Sequence, residues 1–262
     1  MDEDWRIINL TINDAYTNMA IDEAICRLNS QGRSPNTIRL YRWLPSAVSI
    51  GYFQIVEQEV DVKACKRLGV DIVRRMTGGG AVFHSYEGEL TYSTIISKNS
   101  SQIPHDVLAS YEVICSGIVM ALNKLGIKGE FKSINDIDVN GRKISGNAQT
   151  RRWNVILQHG TILLDTDVKT MFTVLKVSNE KISDKLISSI EDRVTTIKRE
   201  SGKNVTFKDM VDALIESFPK VFNINLVESG LSQEETDLAF KLKKEKYCTR
   251  EWTFNRPLLG CG

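Results

Sequence analysis

No stretch of this chain approaches the roughly 20 consecutive apolar residues that a membrane-crossing helix needs. The opening Met1-Asp2-Glu3-Asp4 also lacks the basic and apolar regions of a secretion signal. Both absences point to a cytoplasmic protein with no membrane partner. Charge of one sign is missing too. Thirty-four Lys and Arg stand against 33 Asp and Glu, a formal charge of +1, which leaves no broad basic field to recruit nucleic acid. A small anionic ligand is not excluded by that balance. Cysteine is sparse: Cys26, Cys65, Cys115, Cys248 and Cys261 are odd in number, scattered, and form no CxxC pair. That pattern argues against a disulfide framework or a zinc site. Internal repeats, low-complexity tracts and long Pro/Gly/Ser linkers are absent as well.

What is present suffices for one large core in 262 residues. Tyr16, Ala20, Ile21, Ala24, Ile25 and Leu28 recur with helical period, predicting a helix over 14–28. Residues 37–43 alternate as a half-buried strand does, and 47–53 read as a second strand. A short helix over 60–68 ends at Gly69, residues 89–97 are β-rich, and a long helix follows Pro104. Residues 133–165 mix strand-like runs with turns, of which Asn140-Gly141 is the clearest hairpin signal. The last third reads as helical, with a cap at Thr206 and a capping-box spacing at Ser232 and Glu235. Strand-rich first and helix-rich last predicts an α+β fold, a mixed β-sheet flanked by helices.

Two constellations carry chemistry. The first is Arg74-Arg75-Met76-Thr77-Gly78-Gly79-Gly80-Ala81-Val82-Phe83-His84. Consecutive glycines cost backbone entropy, and they allow close backbone approach and exposed N–H groups that favour an anion. The paired arginines add forked donors suited to phosphate or carboxylate. The loop is neither a P-loop, since no Gly-Lys-Ser/Thr follows, nor a dinucleotide fingerprint, since G-x-G-x-x-G is absent. The second runs from Asn135-Asp136-Ile137-Asp138 through Asn140-Gly141-Arg142-Lys143 to Ala148-Gln149. A turn at Asn140-Gly141 places Arg142 and Lys143 on a returning strand, facing opposite sides, so one of them can point inward. An inward Lys143 can stabilise charge developing where a carboxylate and an α-phosphate join. Asp136 or Asp138 can hold Mg²⁺, a hard ion that takes oxygen ligands. His159 has two readings, a hydrogen-bonded structural histidine or a wall of the ligand pocket.

Together the two motifs resemble the lipoate–protein ligase A family. The likeness extends to the early helix with Asn18, Asp22 and Glu23, to Gln158-His159-Gly160-Thr161, and to Glu251-Trp252-Thr253-Phe254. The resemblance implies the biotin/lipoate ligase fold, akin to class II aminoacyl-tRNA synthetase catalytic domains. It implies ATP-dependent conversion of lipoate to lipoyl-AMP, with Mg²⁺, and transfer of the lipoyl group to a lysine of lipoyl domains. The implied acceptors are the E2 component of 2-oxoacid dehydrogenases and the glycine-cleavage H protein. Lys143 is then the catalytic lysine. Arg75, Gly78, Gly79, Gly80, Ala81, Val82, Phe83, Asp136, Ile137 and Ala148 map onto the nucleotide, and Arg74, Thr77, His84, His159, Gly160 and Thr161 onto the lipoate pocket. Many members continue past the Glu-Trp-x-Phe segment into an accessory domain, whereas this sequence stops at Gly262. The expectation is therefore one catalytic domain over 1–262, with a separate small protein supplying the accessory domain for activation.

Three alternatives accompany that reading. One is an acyltransferase moving a preactivated octanoyl or lipoyl group. Relatives of that kind use a cysteine near the second motif, and here no Cys lies between Cys115 and Cys248. Another uses preformed lipoyl-AMP without making it. The last is a non-catalytic lipoate-binding regulator. A biotin ligase is disfavoured, because its Arg-rich GRGRxG-type loop is replaced by Arg-Arg-Met-Thr-Gly-Gly-Gly.

Overall fold

Two segments distant in sequence pair at one side of the main sheet, which no local pattern announces. The computed structural model describes residues 3–132, 134–176 and 193–255. Its strands are β1 (Glu3–Asn13), β2 (Thr37–Trp43), β3 (Ala47–Ile50), β4 (Asp71–Arg74), β5 (Val82–His84), β6 (Glu89–Ser97), β7 (Gly129–Lys132), β8 (Asp136–Val139), β9 (Arg142–Arg152), β10 (Val155–Leu163) and β11 (Ile224–Glu228). The main sheet runs β11-β1-β2-β6-β10-β9-β8-β7, and a small sheet runs β4-β3-β5. In the main sheet β1 lies parallel to both β11 and β2, while the β2–β6, β6–β10, β10–β9, β9–β8 and β8–β7 pairs are antiparallel. This is the mixed sheet of an α+β fold.

The helices are α1 (Ala15–Asn29), α2 (Val56–Glu59), α3 (Val62–Leu68), α4 (Val107–Lys124), α5 (Val168–Val174), α6 (Ile197–Ser201), α7 (Phe207–Phe222), α8 (Gln233–Leu242) and α9 (Arg250–Phe254). Their starts follow from short polar side chains that satisfy otherwise unpaired N–H groups. Asp14 accepts from Thr17 N, Asp106 from Ala109 N, and Thr206 and Ser232 each complete a capping box. The stops follow from left-handed residues: Gly69 closes α3 and Asn223 closes α7.

Each face of the main sheet buries its own core. On one, Trp5, Ile38, Leu40, Tyr92 and Ile156 pack with Ile114, Ile118 and Leu122 of α4 and Leu214 and Phe218 of α7. On the other, Tyr41, Trp43, Ile95 and Leu157 pack with Met19, Ile21 and Ile25 of α1 and with Ala239 and Leu242 of α8. A third cluster lies under the small sheet, where Val48, Ile50 and Phe83 meet Val56 and Cys65. Helix α4 is long and apolar enough to cross a membrane by length and composition, a feature the sequence reading passed over. Its buried face is spent on α7 and the main sheet.

The structure departs from the expected elements at a few places. The helix expected over 60–68 is α3, which starts at Val62 because Val60 is extended and bridges to Leu175, and a separate turn of helix, α2, precedes it. The strand expected over 47–53 ends at Ile50. Strands β1 and β11 had no local signal, since their pairing joins residues more than 200 positions apart.

Candidate active site

The two motifs converge on a solvent-open cleft with about 150 Å³ of internal space. The glycine motif forms one wall. Gly79 has φ +92, a conformation that side chains rarely adopt. Its carbonyl presses on Gly51, where an added Cβ would stand 2.0 Å from Gly79 O. The loop can lie this close only because neither residue carries a side chain.

Arg74 and Arg75, adjacent at the end of β4, diverge as neighbours on a strand must. Arg75 turns toward the cleft and holds the loop: Nη2 donates to Gly78 O and Gly80 O at 2.7 Å each, Nε to Thr77 Oγ1 at 3.0 Å, and Nη1 to Ser49 O at 3.0 Å and Ser49 Oγ at 3.2 Å. These partners are carbonyls and hydroxyls rather than carboxylates. Burial pushes its pKa down to about 10, which still leaves a cation at neutral pH. Arg74 turns the other way. Its guanidinium donates to Gly51 O, Tyr52 O and Gln54 O, and to Trp252 O and Thr253 O of α9. It does not line the cleft, so the expectation of Arg74 as a lipoate contact is corrected by strand alternation.

The second motif brings Lys143 to the cleft. Asn140 and Gly141 both have positive φ, 52° and 74°, as a tight hairpin between β8 and β9 requires. The register then slips between Ile137 and Asp138, so that Asp136 pairs with Gly146 and Asp138 with Lys143. The extra residue is a β-bulge, a device that re-aims a side chain. Lys143 Nζ lies 2.6 Å from Asp136 Oδ1, both side chains being partly exposed. It lies across Gly146, where a Cβ would meet Lys143 Cε at 2.7 Å and Nζ at 2.8 Å. The backbone of Lys143 is fixed as well, since its N–H donates to Arg193 O and its carbonyl accepts from Thr195 N, both at 2.8 Å. Arg142 points away and pairs with Glu200 at 2.5 Å. Glu200 also accepts from Asn140 Nδ2 at 2.7 Å and Thr195 Oγ1 at 2.5 Å.

The cleft is lined by Gly79, Gly80, Ala81, Val82 and His84 from the first motif, and by Lys143 and Ala148 from the second. His159, Gly160 and Thr161 of β10 complete the expected set. Phe83 and Ile137 are buried in the hydrophobic cores, 3 % and 0 % exposed, and do not face it. Thr77 and Gly78 support the loop from behind through Arg75. The sequence reading missed Met19, Tyr41, Trp43, Ser49, Thr91 and Asn147, which also line the cleft. Tyr41, Trp43 and Thr91 lie on strands whose alternation was visible, but which face would meet a ligand was not.

His159 fits both of its readings. It lines the cleft, and its Nε2 lies 2.7 Å from Thr77 Oγ1. Thr77 Oγ1 already accepts from Arg75, so its proton is free to bond Nε2. That leaves Nδ1 protonated and facing Asp22 Oδ2 at 3.6 Å. Burial holds the imidazole below the ordinary 6.5, against the opposing pull of Asp22. Burial tends to raise Asp22, but Arg39, at 2.8 Å, and His159 together outweigh it and keep that carboxyl below 3.8.

A second hydrogen-bonded string starts from the cleft lining at Ser49 and His84. Ser49 Oγ is 2.8 Å from His84 Nε2, and His84 Nδ1 is 2.7 Å from Glu89 Oε2. Thr91 donates to Glu89 Oε1, and Trp43 Nε1 donates to Thr91 Oγ1 at 2.7 Å. Trp43 also stacks on His84, centroids 4.0 Å apart.

No cysteine lines the cleft among the described residues. Cys26, Cys65 and Cys115 are buried in the cores, and Cys248 is exposed elsewhere. Burial pushes the Cys115 thiol up to about 12, far from a usable thiolate. Cys261 and Ser133 lie outside the described residues. Asp136 and Asp138 share one face of β8, but Asp136 is engaged by Lys143. Burial, with the neighbouring Asp136, raises Asp138. Among the described residues no three His, Cys, Asp or Glu side chains gather as a metal set. The pair does not fit a protein-built Mg²⁺ cage.

Residues 14–219, which span both motifs, match the family described as the Lipoyl protein ligase A/B catalytic domain. The chain belongs to this family. In the solved structures its fold superimposes on a bi-partite lipoate protein ligase from Thermoplasma acidophilum, with TM-score 0.87, 32 % identity and 98 % of each chain covered. A lipoate-protein ligase A bound with ATP gives TM-score 0.84 at 29 % identity, covering 98 % of this chain and all of the other. Curated relatives named "Octanoyltransferase LipM" are 35 % identical in Brevibacillus brevis and 37 % in Geobacillus kaustophilus. Each match covers 97 % of this chain and nearly all of the relative. These names correct the leading expectation from sequence. In place of a ligase that activates lipoate with ATP, they put a transferase, which the sequence reading had ranked second. That reading gave decisive weight to an absent cysteine and to the likeness of the two motifs.

Proposed function

We propose that this enzyme is an acyltransferase that moves a preactivated octanoyl or lipoyl group onto a specific lysine of lipoyl domains. The acceptors would be the E2 component of 2-oxoacid dehydrogenases and the glycine-cleavage H protein. The observation that carries the reading is that Lys143 lines the same cleft as the bulky side chains Met19, Tyr41 and Trp43. An acyl chain in that cleft leaves its carbonyl beside the ammonium. The resting pair with Asp136 is partly exposed, and such pairs contribute only about 0–1 kcal/mol. A developing oxyanion outweighs it, because stabilisation of transition-state charge in a partly desolvated site amounts to about 3–4 kcal/mol per donor.

The other groups then have stated tasks. Arg75 holds the glycine wall and places a fixed positive charge behind it. Asp136 orients Lys143 between turnovers. Gly146 leaves the space in which the lysine lies. Transfer of an already activated group consumes no ATP and no Mg²⁺, so the separate accessory protein expected for activation has no step to perform. The test is mass spectrometry of an apo lipoyl domain incubated with this chain and octanoyl thioester of an acyl carrier protein, without nucleotide. Octanoyl added to the acceptor lysine is the expected result. Acceptor left unmodified over many enzyme equivalents would overturn the reading.

A further inference from the structure

Among the described residues no cysteine lines the cleft to serve as an acyl-enzyme nucleophile, but a serine hydroxyl does line it. We propose that Ser49 is the acyl-accepting residue, activated by His84 and Glu89, so that transfer proceeds through a serine ester. The inference rests on the acyltransferase reading above.

The proton positions follow from the hydrogen bonds. Arg75 Nη1 donates to Ser49 Oγ at 3.2 Å, so the serine oxygen is already an acceptor there and its own proton points elsewhere. The neighbour at 2.8 Å is His84 Nε2. An Nε2 that accepts from serine requires the ring proton on Nδ1, which faces Glu89 Oε2 at 2.7 Å. Glu89 is fully buried, and it is oriented by the hydroxyl of Thr91, itself fixed by Trp43 Nε1. Every link runs in one direction, from Trp43 to Thr91 to Glu89, and from Ser49 through His84 to Glu89. This is the nucleophile, base and orienting acid arrangement, recognised by geometry rather than by order in the chain. The Arg75 cation against Ser49 Oγ adds a term that favours the alkoxide as the proton leaves. Both Ser49 and His84 line the cleft, so the string opens onto the space proposed for the acyl group.

The steps balance. Ser49 Oγ attacks the thioester carbonyl, its proton passes to His84 Nε2, and the C–S bond breaks as the carrier thiolate takes that proton and leaves as a thiol. The acceptor lysine, entering as the free amine, then attacks the serine ester. His84 takes a proton from the attacking nitrogen and returns it to Ser49 Oγ as the C–O bond breaks. The product is an amide, and the enzyme regains its starting state with no redox partner.

The experiment has two arms on the full chain. In one, the protein is treated with an octyl fluorophosphonate, which reacts with activated serines independently of any acyl transfer. In the other, octanoyl-coenzyme A is supplied without acceptor and intact mass is recorded. The wild type is expected to gain one phosphonyl group, mapped to Ser49, and one octanoyl group. Ser49→Ala should lose both and slow transfer by about 100-fold or more, with an unchanged thermal melt. Ser49→Cys should regain acylation as a hydroxylamine-sensitive thioester. If Ser49→Ala transfers octanoyl to the lipoyl domain at the wild-type rate, the serine inference falls and the transferase reading stands. If Ser49 takes both labels but nothing reaches the lipoyl domain, the transferase reading falls and the nucleophile stands. If the wild type takes neither label, the nucleophile is refuted outright.

Discussion

Lys143 and Arg75 are both cations beside one cleft, and their surroundings give them opposite tasks. Arg75 is fully buried and spends its donors on the glycine loop, so it cannot follow a substrate. Lys143 is partly exposed, on a flexible stem, and loosely paired, so it can. Replacing Lys143 by Ala should therefore lower the transfer rate by about 100- to 1000-fold, the usual cost of losing an oxyanion donor. Far-UV circular dichroism and urea midpoint should stay near wild type. A variant transferring octanoyl within twofold of wild type would contradict the role. His159 makes a stability prediction with a definite sign. Its folded pKa lies below 6.5, so as pH falls past 6.5 the unfolded chain takes up the proton first and stability drops. Asp22, held below 3.8, contributes stability that disappears only at more acid pH, as the pH falls through its folded pKa. Melting temperatures recorded from pH 7.5 down to 5 should thus decline in the wild type and decline less in His159→Gln. Equal slopes in the two proteins would rule out His159 as the source.

At the scale of elements, the hairpin of β8 and β9 is the part most legible in sequence and also the part whose key detail was hidden. Asn140-Gly141 marks the turn, and alternation puts Arg142 and Lys143 on opposite sides. The bulge after Ile137 could not be read, yet it is what lays Lys143 over Gly146 and beside Asp136. Gly146→Ala should push the ammonium aside and reduce activity by roughly tenfold, because ångström-scale misplacement of a catalytic group is costly. Stability should change little, since the atoms displaced are the far end of a flexible side chain. Gly51→Ala is a different case. Its Cβ would meet the backbone carbonyl of Gly79 at 2.0 Å, which the loop can relieve only by moving. A loss of about 1–3 kcal/mol is expected from overpacking, measured by chemical denaturation, with activity lost in parallel. The glycine motif thus told correctly that backbones approach closely, but not that one partner would be Gly51 rather than a ligand. Arg74 shows the same limit. Its neighbour's role was legible, whereas its own depends on α9, 178 positions later.

For the whole molecule, the fold class followed from the order of strand-rich and helix-rich regions, but the way the sheet is closed did not. Strands β1 and β11 come from opposite ends of the chain, and a buried ion pair secures that side. Arg6 binds Glu235 at 2.5 and 2.7 Å, with Ser34 and Thr37 completing the shell. Burial would raise Glu235, but Arg6 and Ser34 hold it below 4.5. Removing one partner leaves the other charge buried, so Glu235→Ala should cost about 3–5 kcal/mol, read from urea unfolding. Because neither residue is near the cleft, the folded fraction should transfer octanoyl at the normal rate. Selective loss of rate without loss of stability would mean that the pair serves the cleft instead.

The Arg74 contacts carry one more consequence. Helix α9 has five residues, too few to persist alone, and it is held by Arg74 through Trp252 O and Thr253 O while the Trp252 indole returns a bond to Arg74 O at 2.9 Å. The adjacent Arg75 holds the glycine wall. One dipeptide therefore divides its two side chains between a remote helix and the cleft, like a rivet through two plates. A deep mutational scan scored on catalysis would register Trp252 as sensitive although it does not line the cleft. The chain's map of functional importance is wider than its map of touching residues.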